Sequence, residues 1–160
     1  MARNPDPTLG VTSLDGTTRP LDDWLTMFHL CLVVLPARPE AVEWLPAIRR
    51  IFRVFGDADC RTAVCVTGGN QQVARRLLGP EADGLLVFVD PGGELAGSLG
   101  LERLPAFVHL RQDTTLVAAA EGWEPREWQR VAKGLAEAMA WTEPFVAGPG
   151  DPPAGSGWAA

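Results

Sequence analysis

Short apolar segments alternate with helical patterns along this chain, and the alternation restricts the fold more than any other feature. Residues 29–35 are apolar, rich in β-formers and followed by prolines, which is typical of a buried parallel strand. Four more segments are predicted strands: 62–67, 85–89, 106–111 and 116–120. Helical patterns are predicted at 40–55, 71–78, 94–99 and 125–141. The chain is therefore predicted to belong to the α/β class, with a mixed, mostly parallel sheet and helices on both faces.

The length and composition predict one folded domain with an extension. A chain of 160 residues is short for two independent cores. Eight of the seventeen residues from 144 to 160 are Pro or Gly. We therefore predict a domain over residues 1–141 and a C-terminal segment, residues 142–160, without a core of its own. Phe145 and Trp158 are the residues in it that would dock on the domain.

Four motifs resemble the thioredoxin fold, and most of all the redoxin branch near the TlpA-type thiol-disulfide proteins. They are Leu-Asp-Gly-Thr at 14–17, Val-Val-Leu at 33–35, Asp-Pro-Gly-Gly-Glu-Leu-Ala at 90–96 and Leu-Pro-Ala-Phe-Val at 104–108. The resemblance covers roughly residues 7–141. It implies a thioredoxin-like three-layer sandwich and a cis peptide bond between Leu104 and Pro105.

The redox motif of that family is replaced in this chain. The resemblance implies Trp-Cys-x-x-Cys at the start of the first long helix, with a proline five residues after the second cysteine. If that proline is Pro46, then Arg38 and Ala41 stand at the two cysteine positions and Ala37 at the tryptophan position. Disulfide exchange needs a thiolate and a second thiol, and an arginine supplies neither. Thioredoxin-like catalysis at these positions is excluded.

The three cysteines lie elsewhere. Cys31 and Cys65 fall inside predicted strands, where a buried cysteine packs as a small apolar residue. Cys60 lies beside Arg61 near a predicted turn, so we expect it to be the most exposed thiol and the one weak catalytic candidate. No cysteine or histidine cluster has metal-ligand spacing, and we predict no metal and no cofactor.

Two other side chains have both a structural and a functional interpretation. His109 follows Pro105 on a predicted strand, where it is a structural histidine or a base beside the groove that the resemblance implies. Trp123 precedes the last helix outside its apolar stripe, so it caps the core, docks the C-terminal segment or faces a partner. The Gly-Gly-Asn sequence at 68–70 is a strand-to-helix turn or an anion site, and it lacks a full phosphate-binding fingerprint.

Charge and hydropathy exclude several classes of function. A net charge of −6 and a pI of about 4.9 argue against nucleic-acid binding. The longest apolar run has six residues, against the roughly twenty that a membrane span needs. No secretory leader pattern is present, so we expect a cytoplasmic protein with reduced thiols and no membrane partner.

These observations lead to one main functional hypothesis. The resemblance implies a groove in which the loop before the cis-proline pairs with an extended peptide as an added strand, a step that needs no thiol. The chain is thus predicted to be a redox-inactive thioredoxin-fold protein that binds a protein or an extended peptide, in a chaperone or accessory role. The expected binding residues are Arg38, Pro39, Leu104, Pro105 and Trp123.

Two alternatives remain open. One is a divergent thiol-disulfide oxidoreductase or peroxidase-like enzyme that uses Cys60. The other is a dimer-forming structural protein, with Trp123 and the C-terminal segment in the interface of a homo-oligomer.

Overall fold

The computed structural model describes residues 1–160. The strands are β1 (Gly10–Ser13), β2 (Thr18–Pro20), β3 (His29–Pro36), β4 (Cys60–Thr67), β5 (Val87–Asp90), β6 (Arg103–Leu104), β7 (Ala106–Leu110), β8 (Leu116–Glu121) and β9 (Trp158–Ala159). The α-helices are α1 (Leu21–Leu25), α2 (Leu45–Phe55), α3 (Gln71–Leu78), α4 (Glu94–Ser98) and α5 (Pro125–Met139). Two 3-10 helices span Pro39–Trp44 and Gly79–Gly84.

Seven strands form one mixed sheet in the order β2-β1-β5-β4-β3-β7-β8. Strands β3, β4 and β5 run parallel, and the β1 and β7 strands flank them in antiparallel orientation. The hairpin predicted for the last two strands of the domain is formed by β7 and β8. The predicted α/β class, with a mixed sheet and helices on both faces, is confirmed.

The sheet separates two apolar cores. Side chains of β3 alternate between them, with Cys31 and Val33 facing one core and Leu30 and Leu32 facing the other. Helices α2, α3 and α5 cover the first core, and α1 and α4 cover the second. Since β3 is buried on both faces, it reads in sequence as the continuous apolar run expected of a central strand.

The helix predicted over residues 40–55 is divided at Pro46. Residues Pro39–Trp44 form a 3-10 helix, and the α-helix begins at Leu45. Pro46 has no N–H to donate and its ring collides with the carbonyl four residues earlier, so it is tolerated only in the first turn of an α-helix. The division leaves the start of this helical region, at the end of β3, as a separate short turn.

The β1-β2-α1 unit lies outside the regular elements predicted from the sequence. Its strands are three or four residues long, and β2 is exposed at the edge of the sheet, so neither shows a strong hydrophobic period. Trp24 of α1 holds the unit to the sheet, because its ring meets Phe88 at 5.1 Å and its indole N–H donates to the Val11 carbonyl at 2.9 Å.

Candidate functional site

The end of β3 brings Arg38 and Ala41 to the start of the 3-10 helix. Arg38 precedes the helix in extended conformation, and its carbonyl accepts a hydrogen bond from the Ala41 amide at 3.0 Å. The Ala41 side chain is fully buried, whereas the Arg38 side chain is half exposed. A carboxylate oxygen of Glu40 lies 3.7 Å from the Arg38 guanidinium. The position where the resemblance implies a nucleophile therefore presents a solvent-accessible cation.

The loop before β7 faces this turn. The Leu104–Pro105 peptide bond is cis. The Glu121 carboxylate, at the end of β8, accepts hydrogen bonds from the amides of Glu102 and Arg103 at 2.5 and 3.2 Å. The Pro105 carbonyl accepts a hydrogen bond from the Gly122 amide at 2.8 Å. These bonds fix the backbone of the loop against β8 and leave the edge of β6 free for another strand. We call the surface between Arg38, Trp44, Leu104 and Pro105 the groove.

The chain fills the groove with its own C-terminal segment. Strand β9 pairs antiparallel with β6, with Trp158 opposite Leu104 and Ala159 opposite Arg103. The Trp158 ring lies 5.1 Å from the Arg38 guanidinium carbon and meets the Trp44 ring edge-on at 5.4 Å. A stretch of extended polypeptide from the chain itself therefore occupies the place that is predicted to hold a partner peptide.

Gly157 shows how closely this segment approaches the loop. Its φ is +73°, and a Cβ added to it would lie 1.8 Å from the Leu104 carbonyl oxygen. A side chain at this position would be both strained and in collision with backbone. Nearby Gly155 differs in both respects, because a Cβ on it meets nothing within 4 Å and its φ lies outside the left-handed range.

The rest of the C-terminal segment is anchored along its course. The Arg50 guanidinium, on α2, donates to the Val146 carbonyl at 2.9 Å and to both carboxylate oxygens of Asp151 at 2.5 and 2.6 Å. Val146 is fully buried in the first core. Of the two residues expected to dock the segment, Trp158 packs on the domain, but Phe145 is 86% exposed. Through Val146 and Trp158, the segment packs on the first core.

Trp123 lies beneath the C-terminal segment. Only 1% of its surface is exposed, and its ring packs edge-on against Trp128 at 4.9 Å. Its indole N–H donates to the Pro152 carbonyl, and its backbone exchanges two hydrogen bonds of 2.8 Å with Gly155. These contacts agree with two of the three interpretations of Trp123, namely that it caps the core and that it docks the C-terminal segment. A partner could contact Trp123 only after the segment has left.

Cys60 is the most exposed of the three thiols, as expected, but it is still buried. Strand β4 begins at Cys60, two residues earlier than predicted, and the side chain is 9% exposed and packs in the first core. It faces Cys31 across the β3–β4 pair, and burial, followed by the contact with Cys60, raises the pKa of Cys31. Burial raises the pKa of Cys65, and the charge of Asp90 adds to the rise. All three thiols are free and buried, and burial disfavours the thiolate form of Cys31 and Cys65.

The expectation that His109 lies beside the groove is wrong. Strand β7 leaves the groove at Ala106, so His109 lies at the far end of the sheet, opposite Cys31. It is fully buried, and its Nε2 atom lies 2.8 Å from Nδ1 of His29. Burial, the neighbouring His29 and Arg111 lower the pKa of His109 to about 4. The contact between His29 and His109 is therefore structural and lies at the end of the sheet remote from the groove.

The Gly-Gly-Asn turn acts as a helix cap. The Asn70 side chain accepts a hydrogen bond from the Val73 amide at 2.9 Å and so begins α3. Asp90 does the same for α4, because its buried carboxylate accepts from the amides of Leu95 and Ala96 at 3.0 and 3.1 Å. Both motifs have a complete structural explanation.

A cavity of about 390 Å³ is lined by Arg38 and a second arginine, Arg76. Its lining consists of Ala37, Arg38, Pro39, Val42, Val73, Arg76 and Leu77. Pro39, one of the predicted binding residues, therefore contributes to this cavity. An apolar floor beside two cations suits a side chain that combines carbon with a carboxylate.

Two absences concern cofactors and membranes. No group of three or more histidine, cysteine, aspartate or glutamate side chains is arranged to hold a metal ion. None of the helices has both the length and the apolar character required to cross a bilayer.

Several residues of the groove have no signal in the local sequence. Trp44, Arg103 and Gly157 each acquire a role there from contacts between distant parts of the chain. The one available signal was Trp158, a large aromatic residue within an otherwise small and polar Pro/Gly-rich stretch.

Comparisons with known proteins agree on the fold. No family model matches the chain, and no curated protein matches it. Among solved structures, the exposed lipoprotein thioredoxin Etrx1 of Streptococcus pneumoniae has a TM-score of 0.64 at 22% identity, over 81% of this chain and 98% of its own. Peroxidoxin BcpB of Mycobacterium tuberculosis has a TM-score of 0.67 at 15% identity, over 88% of this chain and 98% of its own.

A third solved structure is similar to this chain to a comparable degree. The thioredoxin domain of a thiol-disulfide oxidoreductase from Bacteroides vulgatus has a TM-score of 0.66 at 13% identity, over 84% of this chain and 99% of its own. At these identities the similarity establishes the architecture, and the predicted thioredoxin-like fold is confirmed.

Proposed function

We propose that this thioredoxin-fold chain is a redox-inactive module that binds an extended polypeptide segment of another protein in the groove. The observation that carries the proposal is the pairing of β9 with β6, in which the chain's own Trp158 and Ala159 lie as an added strand on the loop before Pro105. A surface that accepts one extended segment has the backbone geometry to accept another.

The charges beside the groove indicate the kind of partner. Arg38 is half exposed, and its contact with Glu40 is long and solvent-accessible, so it contributes little as an ion pair and remains free to meet an anion. Arg76 and Arg38 both line the cavity of about 390 Å³ described above. A partner with an acidic side chain, or with its carboxyl terminus, next to the added strand is therefore favoured.

A redox-inactive role is supported by the thiols. Catalysis of disulfide exchange requires an accessible thiolate, whereas burial disfavours ionisation of Cys31 and Cys65. Cys60 is 9% exposed, and its Sγ lies 3.6 Å from the Arg61 carbonyl oxygen. None of the three lies at the groove, so a mixed disulfide with a peptide held there has no nucleophile.

The second candidate is a divergent thiol-disulfide oxidoreductase that uses Cys60. The names of the structural neighbours favour it, since they include a thiol-disulfide oxidoreductase and a peroxidoxin. An insulin-reduction assay and a peroxidase assay separate the two candidates. Turnover that disappears in Cys60→Ser would support the enzyme and contradict the proposal.

A peptide-display experiment tests the binding role directly. A random peptide library is panned against the full chain carrying Gly157→Ala, which drives the C-terminal segment out of the groove, and against Gly155→Ala as the matched control. We expect extended peptides to be enriched on the first variant only. Equal failure to enrich peptides on both, with both proteins folded, would contradict the proposal.

Two further expectations belong to the proposal. A monomer in light scattering is expected, and a dimer would favour the structural role in which Trp123 and the C-terminal segment form an interface. A cytoplasmic location, with neither nucleic acid nor membrane as a partner, stays a prediction that fractionation of the native cell tests.

A further inference from the structure

The backbone pairing in the groove is short, so side chains must supply the selectivity. Strand β9 has two residues, and one more hydrogen bond of 3.0 Å runs from the Ala160 amide to the Glu102 carbonyl. Arg103 adds bonds to the carbonyl oxygens of Ser156 and Gly157 at 3.1 and 2.9 Å and to the Ser156 hydroxyl at 3.0 Å. Carbonyl groups are common to all sequences, so these contacts, apart from the one with the hydroxyl, hold an extended chain without identifying it.

One position of the occupying segment requires a glycine. A Cβ on Gly157 would lie 1.8 Å from the Leu104 carbonyl oxygen and 2.7 Å from its carbon, and both atoms belong to backbone that cannot rotate away. The φ of +73° at this position is a second reason for glycine. Any segment that follows the same course therefore needs glycine there.

The next position requires an aromatic ring. Trp158 lies between the Arg38 guanidinium, 5.1 Å from the ring centre, and the edge of Trp44. A cation above a ring and an edge-to-face contact both depend on an aromatic face, and an aliphatic side chain offers neither. The slot therefore selects tryptophan or another aromatic residue.

The fit of the chain's own segment is incomplete. With the segment in place, the buried indole N–H of Trp44 has no hydrogen-bond acceptor. A buried donor without an acceptor weakens the state that contains it. A partner segment that brings an acceptor to Trp44 has an advantage over the chain's own segment.

We infer that the partner presents an extended segment containing glycine followed by an aromatic residue, and that it enters the groove by replacing residues 155–160 of this chain. The inference rests on the proposed function and specifies its partner. The C-terminal segment serves as an internal competitor that carries the same Gly-aromatic pair.

The strength of the competition between the C-terminal segment and a partner peptide can be estimated. A tethered segment acts at an effective concentration of about 1 mM. If the same segment binds the open groove with a dissociation constant of about 10 μM as a free peptide, the tethered copy weakens any competing peptide about 100-fold.

The test uses a fluorescent peptide with the sequence of residues 153–160, Pro-Ala-Gly-Ser-Gly-Trp-Ala-Ala. It is titrated by fluorescence anisotropy into the wild-type chain, Gly157→Ala and Gly155→Ala. We expect binding to Gly157→Ala to be about 10- to 100-fold tighter than to the other two. The same peptide carrying Gly157→Ala or Trp158→Ala should bind at least tenfold more weakly than the unchanged peptide.

The outcomes separate this inference from the proposed function. If the unchanged and substituted peptides bind the Gly157→Ala chain equally well, the Gly-aromatic requirement is overturned while peptide binding stands. If library panning and the titration both yield no binding to the folded Gly157→Ala chain, the proposed function fails with it. A wild-type dimer that Gly157→Ala converts to a monomer would make a second copy the occupant and overturn the inference. Trp158→Ala in the full chain opens the groove independently if Gly157→Ala does not fold.

Discussion

The contact between the half-buried His29 and the buried His109, at the end of the sheet remote from the groove, makes stability depend on pH below neutrality. The pKa of His109 falls from 6.5 to about 4 on folding, because burial, His29 and Arg111 all disfavour the protonated ring. The folded state therefore keeps the imidazole neutral, whereas the unfolded chain binds a proton already near pH 6.5. The stability contributed by this residue is present above the unfolded pKa, and it is lost as the pH falls toward about 4.

The magnitude follows from the two pKa values. A difference of about 2.5 corresponds to about 3 kcal/mol of unfolding free energy, nearly all of it lost between pH 7 and pH 4. Few groups around His109 favour its protonated form. His109 is fully buried, its Nδ1 atom has no partner, and the one charge that favours protonation of the pair is Asp113, next to His29.

Urea unfolding followed by tryptophan fluorescence, at intervals from pH 7 to pH 4, measures this loss. The variant His109→Leu lacks the titrating ring, so its unfolding free energy should fall by about 3 kcal/mol less than that of the wild type over this range. Comparison with the variant cancels the carboxylates that also titrate there. His29→Gln removes one of the groups that lower the pKa of His109 and should give an intermediate loss. Wild type and His109→Leu with the same dependence on pH would refute the reasoning.

Three further predictions concern the thiols, the aromatic core and the C-terminal segment. Cys31, Cys60 and Cys65 should react with an aromatic disulfide reagent only after unfolding, because all three are buried, and rapid labelling of the native chain would contradict this. Trp128→Ala should lower the unfolding free energy by about 3 to 5 kcal/mol in urea titrations, since the ring is fully buried and its N–H donates to a backbone carbonyl. Arg50→Met removes the anchor of the C-terminal segment and should speed hydrogen exchange and proteolysis there, and unchanged rates would show that the ion pair holds nothing.

The fold was predictable where local pattern and burial agree. Strand β3 is buried on both faces and appears in the sequence as a continuous apolar run, and α5 has one apolar stripe at helical spacing. The short β1 and β2 strands depend on pairing with distant residues and show no comparable period. The burial of Cys60 was missed because β4 begins two residues earlier than its apolar run suggests.

The site was predictable on one side only. Arg38 and the Leu104–Pro105 loop each follow from a short motif whose own residues lie close together in sequence. The other side comes from the C-terminal segment, whose anchors join residues about a hundred positions apart, such as Arg50 and Asp151. A Pro/Gly-rich stretch has no hydrophobic period, so its docking cannot be read from local sequence.

The pairing of β6 with β9 also bears on solubility. An edge with free N–H and C=O groups, next to exposed aromatic surface, invites pairing between molecules. In the closed chain, β9 covers that edge and Trp158 covers the ring of Trp44. Release of the segment would leave this edge unpaired, so we expect the segment also to protect the chain from aggregation.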